Sequence, residues 1–182
     1  MARWFGRWEL PTVVIAALLS CGGGSSRRTC TLTQGQVVFA AQRLTAGELA
    51  AARRARGLLT DPAALAFADA LIAGQESAQR SLDEVASCLD DLSPSRTSRQ
   101  LDAWFATLDL WLDRQGRGFD EVFLAKQARD LAGLLQVLEE VLIPNTTDRE
   151  LLEALQRLRD SVAAFLHLAA GLASDAVGAS TR

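Results

Sequence analysis

The sequence predicts an all-α protein, an antiparallel four-helix bundle with a short additional connecting helix. Three observations carry that expectation. Alanine and leucine dominate while Tyr is absent and Val, Ile and Thr are sparse, a composition of helices rather than sheet. Apolar residues recur at spacings of three and four in five successive stretches. Turn residues interrupt the pattern about every 25 positions, which favours helices folded back on one another over one long coiled coil.

The first helix runs from about Leu32 to Gly57 with Val37, Ala41, Leu44, Ala51, Ala55 and Leu58 in one stripe, and Glu48 falls in that stripe. Asp61-Pro62 is an N-cap and first-turn pair that opens a second helix reaching about Asp90, with Ala68, Ile72, Gln75, Ala78, Leu82, Val85 and Leu89 inward. Ser93-Pro94-Ser95 breaks it. A shorter third helix, about Thr97 to Arg114, carries Leu101, Trp104, Leu108 and Trp111 and stops at Gly116 and Gly118. It serves as the connection between two helical hairpins. The fourth, Phe119 to about Leu142, has Leu124, Ala128, Leu131, Leu135, Leu138 and Leu142 in its stripe. After Pro144-Asn145, Thr147 and Glu150 read as a capping box for a fifth helix with Leu151, Leu155, Leu158, Val162, Phe165, Ala169 and Leu172 inward.

The 182 residues, 49% hydrophobic, suit one domain with a real core. Residues 1–20 read as a lipoprotein signal peptide: Arg3 and Arg7, an apolar run from Leu10 to Leu19, then Ser20 before Cys21. That run is about ten residues, whereas a permanent membrane helix takes about twenty. Residues 21–31 form a flexible tether through Gly22-Gly23-Gly24-Ser25-Ser26, residues 32–173 the bundle, and residues 174–182 a frayed tail. Losing residues 1–20 removes one net positive charge from a chain already at −3, so no basic surplus is available for phosphates and nucleic acid is not an expected partner.

Leu18-Leu19-Ser20-Cys21 resembles the lipobox of bacterial lipoproteins. The resemblance implies diacylglyceryl on the Cys21 thiol and cleavage that leaves Cys21 first, with the membrane as partner through that lipid. The resemblance implies three acyl chains in all, which would hold far more firmly than one. Gly22, rather than Asp, after the cysteine implies transfer to the outer membrane, by analogy with enteric bacteria. The alternative is an ordinary signal peptide cut nearby, leaving Cys21 a plain thiol.

Three stretches resemble a bacterial ferritin-like family of unknown function, often labelled outer membrane proteins: Phe39-Ala40-Ala41 with Gly47-Glu48-Leu49, Asp61-Pro62 through Phe67-Ala68 to Leu71-Ile72-Ala73-Gly74-Gln75, and Phe119-Asp120 through Phe123-Leu124 to Gln127. Leu166-His167-Leu168-Ala169 fits as well. The resemblance implies a ferritin-like bundle. That family typically has an Asp-His pair where this chain has Gly74-Gln75, and histidines where it has Leu131 and Phe165. No Glu-x-x-His occurs, and the one histidine, His167, falls about 200° around its helix from the core stripe, so no metal site and no cofactor are expected.

Glu48 keeps its family position, and the hairpin brings it within about 6 Å axially of Gln75, so the two are a possible polar core pair. A buried carboxylate is costly; either Gln75, with Gln79, satisfies it or its pKa rises. Alternatively Glu48 sits at the stripe edge and reaches water. Export leaves Cys30 and Cys88 as an even pair once Cys21 is lipidated, and the antiparallel hairpin brings their helix ends together, so a disulfide is expected. Its loop of about 58 residues corresponds to on the order of 4 kcal/mol.

Trp104, Phe105, Trp111 and Phe119 read as core aromatics, and Arg53, Arg54 and Arg56 as a solvated helix end suited to the dipole. No phosphate loop, nucleophile elbow or Cys-x-x-Cys appears. The expected function is a noncatalytic, lipid-anchored bundle of the bacterial cell envelope, on the periplasmic face of the outer membrane, acting as an interaction or structural module toward an unknown envelope protein. Two alternatives remain: a ferritin-like metal-binding or redox protein with an atypical carboxylate site, and a carrier holding a hydrophobic ligand between the hairpins.

Overall fold

The computed structural model describes residues 31–89, 91–115 and 118–180. Its elements are α1 (Gln34–Arg56), α2 (Pro62–Ala86), α3 (Arg96–Leu112), α4 (Phe119–Val137) and α5 (Arg149–Ser180). Between α4 and α5 lie a π-helical turn, Leu138–Leu142, and a 3₁₀ turn, Ile143–Asn145. No strand occurs among the described residues.

Local chemistry explains most of the boundaries. Thr33 and Gln36 form a reciprocal capping box that starts α1, two residues after the expected Leu32. Asp61 caps α2 by accepting from the Ala64 amide at 2.9 Å, with Pro62 supplying a preset φ at the first position. Ser95 and Ser98 make the same box for α3. Gly118 enters α4 at φ 80°, a left-handed conformation that a side chain would resist. For α5 the cap is Asp148, whose carboxylate accepts from the Leu151 amide at 2.8 Å, and not the expected Thr147 box. The amides of Thr147 and Asp148 are instead taken by the Gln34 side chain, a partner 113 and 114 residues away. α5 extends to Ser180, past the boundary expected at Ser174.

Hydrogen bonds and ion pairs between helices give the register. From α1 to α2 the partners are Gln42 with Asp83, Thr45 with Gln79, Arg53 with Glu76 and Arg56 with Asp69, so advancing along one helix retreats along the other. From α1 to α3 they are Arg43 with Asp102 and Arg54 with Asp113, both 59 residues apart, so these two helices are parallel. Hence α3 is more than a short link. It runs back along the outside of α1 for roughly 25 Å and delivers the chain to the far end, where α4 starts. α1, α2, α4 and α5 form the four-helix bundle with α3 as its crossover, and α5 packs between α2 and α4.

Burial follows the predicted stripes with two shifts. α1 is packed on several sides, so Val38, Ala40, Thr45 and Ala52 join the core while Leu58 is exposed. On α4 the buried face is turned toward Phe123, Gln127, Asp130, Leu134 and Val137, and the expected Ala128 and Leu135 are only partly buried. That rotation carries two polar residues inward.

A buried polar layer halfway along the bundle

The site is assembled from three helices. Glu48 of α1 is fully buried, as are Gln75 of α2 and Gln127 and Asp130 of α4, each at 5% exposure or less. Gln127 and Asp130 are three apart and share one helix face. The antiparallel register of α1 and α2 puts Glu48 and Gln75 at the same level, but no hydrogen bond joins them. Glu48 Oε1 instead accepts from Gln127 Nε2, a partner the stripe analysis did not select. Gln79 does not serve Glu48 either; it accepts from Thr45 at 2.7 Å and donates to Asp83 at 3.0 Å. Oε2 of Glu48 and Oε1 of Gln75 have no partner.

Lys126 reaches in from the edge of α4, its Nζ donating to both oxygens of Asp130 at 2.7 and 2.6 Å. The ammonium also lies 5.3 Å from the Trp111 ring centroid, a cation–π contact that fixes its side chain. The layer thus contains two carboxylates and one cation. Burial pushes the Glu48 carboxyl up to about 8, and the neighbouring Asp130 charge pushes the same way, against Gln127 and Lys126. Burial also raises Asp130, while Lys126 and Arg129 hold it down. Of the alternatives read from the sequence, the raised pKa holds and the route to water does not.

The same level shows how other core positions are filled. Phe165 of α5 lies against Gly74 of α2, where a Cβ would stand 2.7 and 2.9 Å from ring carbons. Phe165 also meets Phe67 edge-on at 6.2 Å. Leu131 is wholly buried. Among the described residues no three His, Cys, Asp or Glu side chains converge as a metal-holding group. His167 is exposed.

Trp104 and Phe105 are buried and stacked at 5.5 Å, Phe105 occupying the space over Gly47; Phe119 packs between Trp111 and Phe123. Arg53, Arg54 and Arg56 are not merely a solvated end: each is paired across to α2 or α3. These pairs are exposed and contribute little individually. Surface hollows among the described residues include two. One of about 300 Å³ lies between α1 and α3 around Gly47 and Phe105, with Arg43, Asp102 and Asp109 on its walls. The other, about 450 Å³ between α2 and α5, is walled by Glu84, Glu150, Glu153 and Arg157 beside the exposed Cys88. Cys88 stands in the turn after α2 rather than inside its last turn. Cys21 and Cys30 lie outside the described residues, as does the segment read as a signal peptide. No described helix is long and apolar enough to cross a membrane.

Fold and layer together define a helical bundle with a polar middle. Residues 23–172 match the family described as a domain of unknown function (DUF4142), and the chain belongs to that family. Neither the curated proteins nor the solved structures contain a match.

Proposed function

We propose that the chain is a lipid-anchored protein of the bacterial cell envelope, held on the periplasmic face of the outer membrane through Cys21, whose bundle is a noncatalytic interaction or structural module. The observation that carries this reading is the order Arg3 and Arg7, apolar run, Leu18-Leu19-Ser20-Cys21 and glycine-serine tether, leading directly into a folded bundle. The point of entry supports it. Leu32 N–H donates to Asn145 Oδ1 at 2.9 Å and Gln34 Nε2 to the Asn145 carbonyl at 2.9 Å, which pins the start of the domain to the α4–α5 turn. The segment that follows Cys21 therefore joins the bundle at that end.

The noncatalytic part rests on the chemistry of the layer. Its polar groups are an acid with a raised pKa, an Asp–Lys pair and two amides, with Leu131 and Phe165 at positions the family resemblance would fill with histidine. Replacing Cys21 with Ser tests the anchor: acylation should vanish and the protein leave the membrane fraction, whereas undiminished lipid labelling would sink the reading. Elemental analysis of protein purified without chelator tests the rest, since stoichiometric iron, manganese or zinc would favour the metal-binding alternative.

A further inference from the structure

Lys126 holds both oxygens of Asp130, so the one cation in the layer is committed there and Glu48 has none of its own. Gln127 satisfies one Glu48 oxygen. What remains is a pair of acceptors, Glu48 Oε2 and Gln75 Oε1, both sealed from water and both unpartnered, on adjacent antiparallel helices whose register sets the two residues within about one helical turn. An ionised carboxylate has nothing to donate. Leaving two buried acceptors unpaired costs about 1–3 kcal/mol each, and more for the charged one. A single proton on Oε2 removes the charge and turns one acceptor into the donor the other lacks.

We propose that Glu48 is a neutral carboxylic acid whose Oε2–H is donated to Oε1 of Gln75, making this layer a one-proton binding site that ties α1, α2 and α4 together. The charged groups acting on it, Asp130 and Lys126, both come from α4. α2 brings the Gln75 amide, and α5 meets α2 here through Phe165 and Ser161. α3 lies on the far side of α1, where its Asp102, Asp109 and Asp113 are held at the surface by Arg43 and Arg54. When the proton leaves, an unpaired charge stands beside Asp130 in the core, so the seam between the α1–α2 hairpin and α4 loosens at mildly alkaline pH. The upward displacement of the Glu48 carboxyl supports this direction. The inference does not depend on lipid anchoring, because it involves core residues alone.

Infrared difference spectra of the purified protein test it. A protonated-acid carbonyl band should be present at about pH 6, disappear between about pH 7 and 9, and be missing throughout in Glu48→Gln. Gln75→Met should shift that band; an unmoved band would overturn the sharing with Gln75. Should either variant fail to fold, the ¹³C carboxyl titration of the wild type still decides, because a Glu48 midpoint in the ordinary carboxylate range of about 4 to 5 refutes the proton site.

Discussion

Gln127 donates its side-chain amide to Glu48 across the interface between α4 and α1, and this hydrogen bond is the one satisfied contact of a wholly buried carboxyl group. It makes the middle of the bundle a place where the stability of the protein is expected to respond to pH.

Burial pushes the Glu48 carboxyl up to about 8 in the fold, against an ordinary value of 4.5. Between those values the native chain holds a proton that the unfolded chain has released, so stability is full below the lower value and falls as pH rises through the upper one. The slope from this group is about 1.4 kcal/mol per pH unit. Glu48→Gln should flatten the slope between about pH 5 and 8 and match or exceed wild-type stability at the alkaline end. Urea denaturation at a series of pH values measures both; a wild-type curve that rises through this interval contradicts the assignment.

Lys126 and Asp130 should respond unequally to removal. Lys126→Met leaves Asp130, at 1% side-chain exposure, without its counterion and is expected to cost about 3–5 kcal/mol. Asp130→Asn leaves Lys126, at 22% exposure, able to reach water, so the loss should be smaller. It should also lower the Glu48 pKa by removing a like charge. Denaturation midpoints that are equal for the two variants would count against the pair as described.

Gly74 is a helix-interior glycine, and helix propensity alone would favour alanine there by about 1 kcal/mol. The Phe165 ring opposes it, with carbons 2.7 and 2.9 Å from the new Cβ. Gly74→Ala is therefore expected to lose about 1–2 kcal/mol net, and Phe165→Leu in the same chain to relieve the loss. Thermal melts of the single and double variants check it; a more stable single variant would mean that the ring moves aside freely.

Cys30 and Cys88 are expected to be bridged in protein isolated from the envelope. Cys88 is exposed at the same end of the bundle where Leu32 is pinned to Asn145 and Gly35 packs on the Asp91 backbone. Nonreducing peptide mapping reads the pairing directly. Two free thiols would remove the bridge while leaving the lipid anchor to its own test.

The helices themselves were legible because their information is local. Asp61-Pro62, the Ser93-Pro94-Ser95 break and the three-and-four spacing of Leu151, Leu155, Leu158 and Val162 act within a few residues, and each holds in the fold. Glu48 and Gln75 were legible as core positions for the same reason. Gln127 and Asp130 were missed because α4 carries apolar residues over much of its circumference, so periodicity alone allows more than one inward face. The periodicity offered one signal, that Gln127 and Asp130 share a face with Leu124, Leu131 and Leu134, which reads as solvent-edge chemistry until the neighbours are known.

The sequence alone therefore determined the helical class, the number and order of helices, their main start signals, and the order of charge, apolar run and cysteine read as an export and anchoring segment. Only the tertiary structure decided that α3 crosses back parallel to α1, that Gln34 takes the amides before α5, and that Gln127 of α4 donates to Glu48. These depend on contacts between residues 59 to 114 positions apart, where the outcome is set by how whole helices rotate to bury their widest apolar faces together, a competition that no stretch of sequence records by itself.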